Sequence, residues 1–67
     1  MNEYEVKVVC NLEHVTPCEF LRRVHAHDVF HAEQVMLAAL IQEHVGTQDS
    51  DYEIQVVSLV RPHRHTP

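Results

Sequence analysis

Seven of the 67 residues are histidine, and His25 and His27 stand one residue apart with Ala26 between them. On a strand this spacing puts both imidazoles on one face, about 6.5 Å apart, a separation that two ligands of one metal ion can use. His31 follows, early in a segment with helical spacing, and is the third candidate ligand. The three offer nitrogen alone, with no acidic fourth partner clearly in reach. Solvated surface histidines are therefore the simpler account, and no metal or other cofactor is expected. His63 and His65, flanking Arg64, are a weaker pair in a segment without periodic structure. Histidine as a residue type titrates near neutrality, so pH sensing is another use open to such a set.

Other chemistry has less to build on. Cys10 or Cys18 would need a neighbouring histidine, an oxyanion hole and a pocket to act as a nucleophile, and no glycine-flanked nucleophile motif is present. A single glycine, Gly46, cannot form a P-loop or a dinucleotide-binding turn. Glu3 and Glu5 share one strand face, but without a cleft they serve as solubilising charges. The expectation is a protein that is not an enzyme. Cys10 and Cys18 could bridge a hairpin loop. Small secreted scaffolds usually carry four or more cysteines, however, and a cytosol keeps thiols reduced, so the pair is expected to stay unbridged.

The elements that must position these residues follow from periodicity. Tyr4, Val6, Val8 and Cys10 alternate with Glu3, Glu5, Lys7 and Val9, the period of two of a half-buried strand. Residues 11–17 have the composition of a loop. Phe20, Arg22, Val24 and Ala26 then alternate with Leu21, Arg23, His25 and His27, giving a second strand. Arg22 on its inner side implies that this stretch lies at the sheet edge or that the register slips before Val24.

At Asp28 the period changes to 3.6, and its carboxylate can accept from the unpaired amides of a first helical turn. Ala32, Val35, Met36, Ala39 and Leu40 form an apolar stripe widened by Val29, Leu37 and Ile41. The spacing predicts a helix over 29–45, with Gly46 as its left-handed C-terminal cap. After the polar link 47–51, Tyr52, Ile54, Val56, Ser58 and Val60 alternate with Glu53, Gln55, Val57, Leu59 and Arg61 as a third strand, which Pro62 ends.

The order β-β-α-β in so short a chain predicts one α+β domain over 1–62, followed by a flexible tail over 63–67. The expected architecture is a three-stranded antiparallel sheet in the order 2-1-3, with the helix packed on one face. The other face is left open. On strict alternation it shows Arg23, His25, His27, Glu53, Gln55, Val57, Leu59 and Arg61 beside Val9 and the charges of the first strand. Apolar residues gathered on an uncovered face point to a contact surface, for a second copy of the chain as a homodimer or for a target.

Composition narrows the partner. The formal charge of −5 disfavours nucleic acid phosphates and favours basic protein surfaces. The longest apolar run, 35–41, is far short of the roughly 20 residues of a membrane span. Nothing at the start of the sequence reads as a secretory signal, so the expected setting is cytoplasmic.

The run Val24-His25-Ala26-His27-Asp28, the helix carrying Ala32-Glu33-Gln34 and Ala38-Ala39-Leu40, and the strand Tyr52-Glu53-Ile54-Gln55-Val56 ending in Val60-Arg61-Pro62 resemble small host-takeover proteins of tailed phages. The likeness is greatest to those that inhibit host RNA polymerase. It spans roughly 18–62 and implies a noncatalytic inhibitor that binds a bacterial protein in the host cytoplasm. Arg61 matches an arginine that is an important contact in that family. Leu59 stands where the family has a second arginine, and this leaves RNA polymerase and a defence nuclease complex both open as targets. The expected contacts on the open face or the sheet edge are Arg61, Leu59, Arg23, Glu53 and Val57.

Overall fold

The computed structural model describes residues 1–11 and 18–62. The segment 63–67, expected to be a tail, lies outside the described residues, as does most of the predicted loop. Strand β1 spans Asn2–Cys10, β2 Glu19–Ala26, helix α1 Val29–Glu43 and β3 Tyr52–Arg61, with a single 3-10 turn at Asp49–Asp51 before the last strand. The sheet is antiparallel in the order β2-β1-β3. The fold is thus the α+β arrangement that the periodicity predicts.

Central position explains why β1 holds the strictest alternation. Tyr4, Val6 and Val8 are buried, while Glu3, Glu5 and Lys7 between them are only partly covered. Against this row lie Ala26 of β2, Tyr52 of β3, and Ala32, Met36 and Leu40 of α1 at steps of four. Phe20, Val24, Leu37, Ile41, Ile54 and Val57 close the margins. With so few fully buried side chains, each carries a large share of the stability. Val29, expected to widen the helix stripe, is exposed in the first turn.

Both ends of α1 follow local chemistry. Asp28 is extended and its carboxylate accepts from the His31 amide at 2.8 Å, one of the donors a helix start leaves unpaired. The helix stops at Glu43, two residues before the predicted end, because His44 already has φ −117° and ψ 80°. Leu40 O still accepts from the His44 amide at 2.9 Å, with His44 Nδ1 3.0 Å from the same oxygen. Gly46 then turns the chain at φ +97°, a conformation that costs other residues free energy. The Thr47 hydroxyl donates to His44 O at 2.6 Å and lies 2.9 Å from the Tyr52 hydroxyl. The helix end is thereby tied to the start of β3.

Two sequence expectations are corrected. Cys10 and Cys18 are joined as a disulfide, with Cα atoms 5.2 Å apart. They are the next facing pair after Val9 and Glu19, and the Cys10 amide donates to Cys18 O at 2.9 Å. Antiparallel register brings them within bonding range without any help from the core. The second correction concerns β3. Its pairing with β1 shifts between Lys7 and Val8 and again between Glu3 and Tyr4, so Gln55 and Val60 are each passed over. A bulge reverses which parity faces inward. Val57 and Leu59 stand opposite Val6 and Tyr4 on the helix side, whereas Val56 and Ser58 stand opposite Lys7 and Glu5 on the open side.

Arg22 lies on the helix side of β2, which is an edge strand, and no slip precedes Val24. Its guanidinium crosses to α1 and makes two contacts with the Glu43 carboxylate, that from Nη2 measuring 2.7 Å. The same group sits 5.9 Å from the Phe20 ring centroid. An arginine can occupy an inner position because its aliphatic stem covers apolar surface while its head finds a carboxylate at the rim.

Candidate protein-docking surface

The open face of the sheet is a grid of four rows fixed by register. From one end these are Glu19–Val9–Glu53, Leu21–Lys7–Val56, Arg23–Glu5–Ser58 and His25–Glu3–Arg61. Each row stands about 6.8 Å from the next along the strands, and neighbouring strands lie about 4.8 Å apart. Charges alternate over most of the grid. Lys7 Nζ is 3.0 Å from Glu19 Oε1, and Arg23 Nε is 3.7 Å from Glu5 Oε2. These pairs are solvated, so they set the pattern of the surface more than its stability.

Within the grid Leu21 is 61 % exposed and Val56 51 % exposed, one on either side of the Lys7 stem. The second row is thus an apolar bar carrying one ammonium, with acids beyond it at Glu19 and Glu53. Ordinary surface does show isolated aliphatics, but here the aliphatic stem of Lys7 lies between Leu21 and Val56 and joins them across the face.

The five residues expected to make contact do not form one site. Arg61 lies opposite Glu3 at one end of the open face, and Glu53 lies opposite Val9 at the other, about 20 Å away along the strands. Arg23 sits on the same face between them. Val57 instead packs against the core from the helix side. Leu59 is also on that side, though 54 % exposed. The residue that alternation misses is Val56, predicted to be inside. The tandem Val56-Val57 is apolar at both parities and conceals the phase change.

The histidines are arranged differently from the strand pair the sequence suggests. β2 ends at Ala26, so His27 leaves the sheet before α1 begins. Its ring stacks on His31 with centroids 5.0 Å apart and planes 14° from parallel. His31 Nδ1 accepts from the His27 amide at 3.0 Å, which commits that nitrogen to holding the strand-to-helix turn. His25 remains on the open face. Among the described residues no three of His, Cys, Asp and Glu converge on a point where a metal ion could sit.

Among the described residues Arg22 and Glu43 are the two groups whose titration is clearly displaced. Hydrogen bonding between them raises the Arg22 guanidinium above its ordinary value and lowers the Glu43 carboxyl below its own. The pair fastens β2 to the end of α1, behind the grid. A shallow depression lined by Ile41, Thr47, Gln48, Asp49 and Ser50 lies at that end of the molecule, open to solvent. No helix among the described residues is long and apolar enough to cross a membrane. Comparison of the chain with known protein families, with curated proteins and with solved structures finds no match.

Proposed function

We propose that this protein is a noncatalytic binding domain that docks the open face of its sheet on another protein. The observation that carries this reading is the bar formed by Leu21, Lys7 and Val56, exposed on a face that no described element covers and framed by Glu19 and Glu53. An apolar strip supplies the desolvated centre of an interface, and the surrounding charges supply register and selectivity. The acid-rich frame and the net charge of −5 suit a partner surface rich in lysine and arginine. The likeness to phage host-takeover proteins supplies the biological setting. In that setting the chain is an inhibitor or regulator of a bacterial host protein, RNA polymerase or a defence nuclease complex, and acts in the host cytoplasm, where Cys10 and Cys18 would stand as facing thiols rather than as the bridge.

Arg61 offers a forked donor at one end of the same face. Because Glu3 stands directly opposite, Arg61→Gln is a cleaner change than a charge reversal. The test is binding of purified bacterial RNA polymerase, and of a defence nuclease complex, to immobilised wild-type protein, to Arg61→Gln and to Val56→Asp. Val56→Asp should weaken binding by about 2 kcal/mol or more while leaving the circular dichroism spectrum unchanged, with a smaller loss for Arg61→Gln. Equal binding by wild type and Val56→Asp would remove the open face from the proposal.

A further inference from the structure

The free edge of β2 supports an inference beyond the docking face, with which it shares Leu21. In β1 and β2 the facing pairs run from Asn2 with Ala26 to Val9 with Glu19. The bond from the Cys10 amide to Cys18 O shows which of these pairs exchange backbone hydrogen bonds. Such pairs alternate along an antiparallel ladder. Phe20, Arg22, Val24 and Ala26 therefore turn their amides and carbonyls toward β1. Glu19, Leu21, Arg23 and His25 turn theirs outward, and no strand lies beyond β2 among the described residues. The next outward amide, that of His27, is already taken by His31 Nδ1.

Of the usual protections this edge has charges, Glu19, Arg22 and Arg23, but nothing that breaks the line of its backbone. Its pairing with β1 has no register shift, and it contains no proline and no glycine. It is a straight row of donors and acceptors ready to accept another strand.

We propose that the occupant is β2 of a second copy of this chain, joined antiparallel about a two-fold axis at Leu21, so that two sheets become one of six strands. Outward-facing residues must meet outward-facing residues, which restricts the axis to a residue position. Charge selects which one. Centred on Leu21, Glu19 meets Arg23 of the second copy, Arg23 meets its Glu19, and the two Leu21 side chains meet on the open face. Lys7 already contacts Glu19 and Glu5 already contacts Arg23. Each crossing therefore reads Lys7, Glu19, Arg23, Glu5 in alternating sign, the first two residues from one copy and the last two from the other. On the helix side Phe20 meets Arg22 of the second copy, the kind of contact those two side chains already make within one chain. Centring on Arg22 or Arg23 would set two like charges face to face.

The mass of the full chain in solution tests this, measured by sedimentation equilibrium over a concentration series. The expected result is a reversible dimer. Leu21→Pro removes only an outward amide, so it should keep the circular dichroism spectrum and weaken self-association at least tenfold. If that variant fails to fold, Arg23→Glu decides, because it sets two pairs of like charges across the axis and should weaken association as strongly. Under mild oxidation Leu21→Cys should form a covalent dimer more readily than Arg23→Cys, since only position 21 faces itself. A monomer at every concentration would overturn the proposal. So would a dimer that survives both Leu21→Pro and Arg23→Glu.

Discussion

Strands β2 and β3 flank the same central strand, yet they meet solvent in opposite ways. β2 is straight, keeps one register along its whole length and is fastened at both ends, by the cystine at its start and by the His27–His31 contact just past its finish. β3 is interrupted at Gln55 and Val60. A bulge leaves one residue out of the ladder and twists the strand, which spoils an edge as a template for another chain. The two edges thus differ in what they can recruit. β2 can accept a strand, whereas β3 resists one and spends its irregularity on moving Val56 to the open face and Val57 to the core.

That contrast depends on the core both strands share, so the largest effect is expected from Leu40→Asp. An unpaired carboxylate in place of this fully buried side chain should cost several kcal/mol, enough to unfold a domain this small. Loss of the native circular dichroism spectrum would show it, and a folded variant would break the assignment of the inner face. Reduction of Cys10–Cys18 sharpens the comparison next. Opening the loop should lower stability by about 2.5 kcal/mol in denaturant titration. Amide exchange should then quicken in β2 before it does in β3.

Gly46→Ala probes the other side of the comparison, the junction that leads into β3. A Cβ there meets nothing within 4 Å, so the cost is conformational, about 1 kcal/mol from the positive φ alone. The smallest effect concerns Glu43, which anchors β2 to the helix. Its carboxyl titrates below the ordinary value of 4.5 because it is hydrogen-bonded to Arg22. A lowered folded-state value means a contribution that is present above the unfolded value and lost as pH falls through the folded one. The difference in melting temperature between wild type and Glu43→Gln should be small near neutral pH and should vanish in acid. A gap that widens on acidification would contradict the sign.

The sheet order, the helix and its N-cap were legible in the sequence because each rests on a local rule. Polar and apolar positions alternate cleanly in β1, the period changes at Asp28, and Gly46 punctuates the helix end. What escaped depended on ambiguity or on three dimensions. Val56-Val57 and Leu59-Val60 are apolar at both parities, so alternation cannot register a bulge. The cystine follows from a facing position across the hairpin, which the residues' separation in sequence does not reveal. For the docking face, β1 contributed as expected and β2 kept Arg23 and His25 in place, while His27 left the sheet for its contact with His31. On β3, Arg61 and Glu53 kept their face, while Val57 and Leu59 went to the helix side.

Of the three described strands, the central one is made first, and the one that covers its second edge is made last. Glu3 pairs with Arg61, near opposite ends of the described chain. During synthesis the hairpin of β1 and β2 can form early, because its contacts are local. Until β3 leaves the ribosome, β1 presents an unpaired edge and α1 has an incomplete sheet to lie on. The chain therefore closes its core only after β3 has been made. A copy released before β3 is complete would carry two open edges, and a neighbouring nascent chain would be the nearest strand available to fill them.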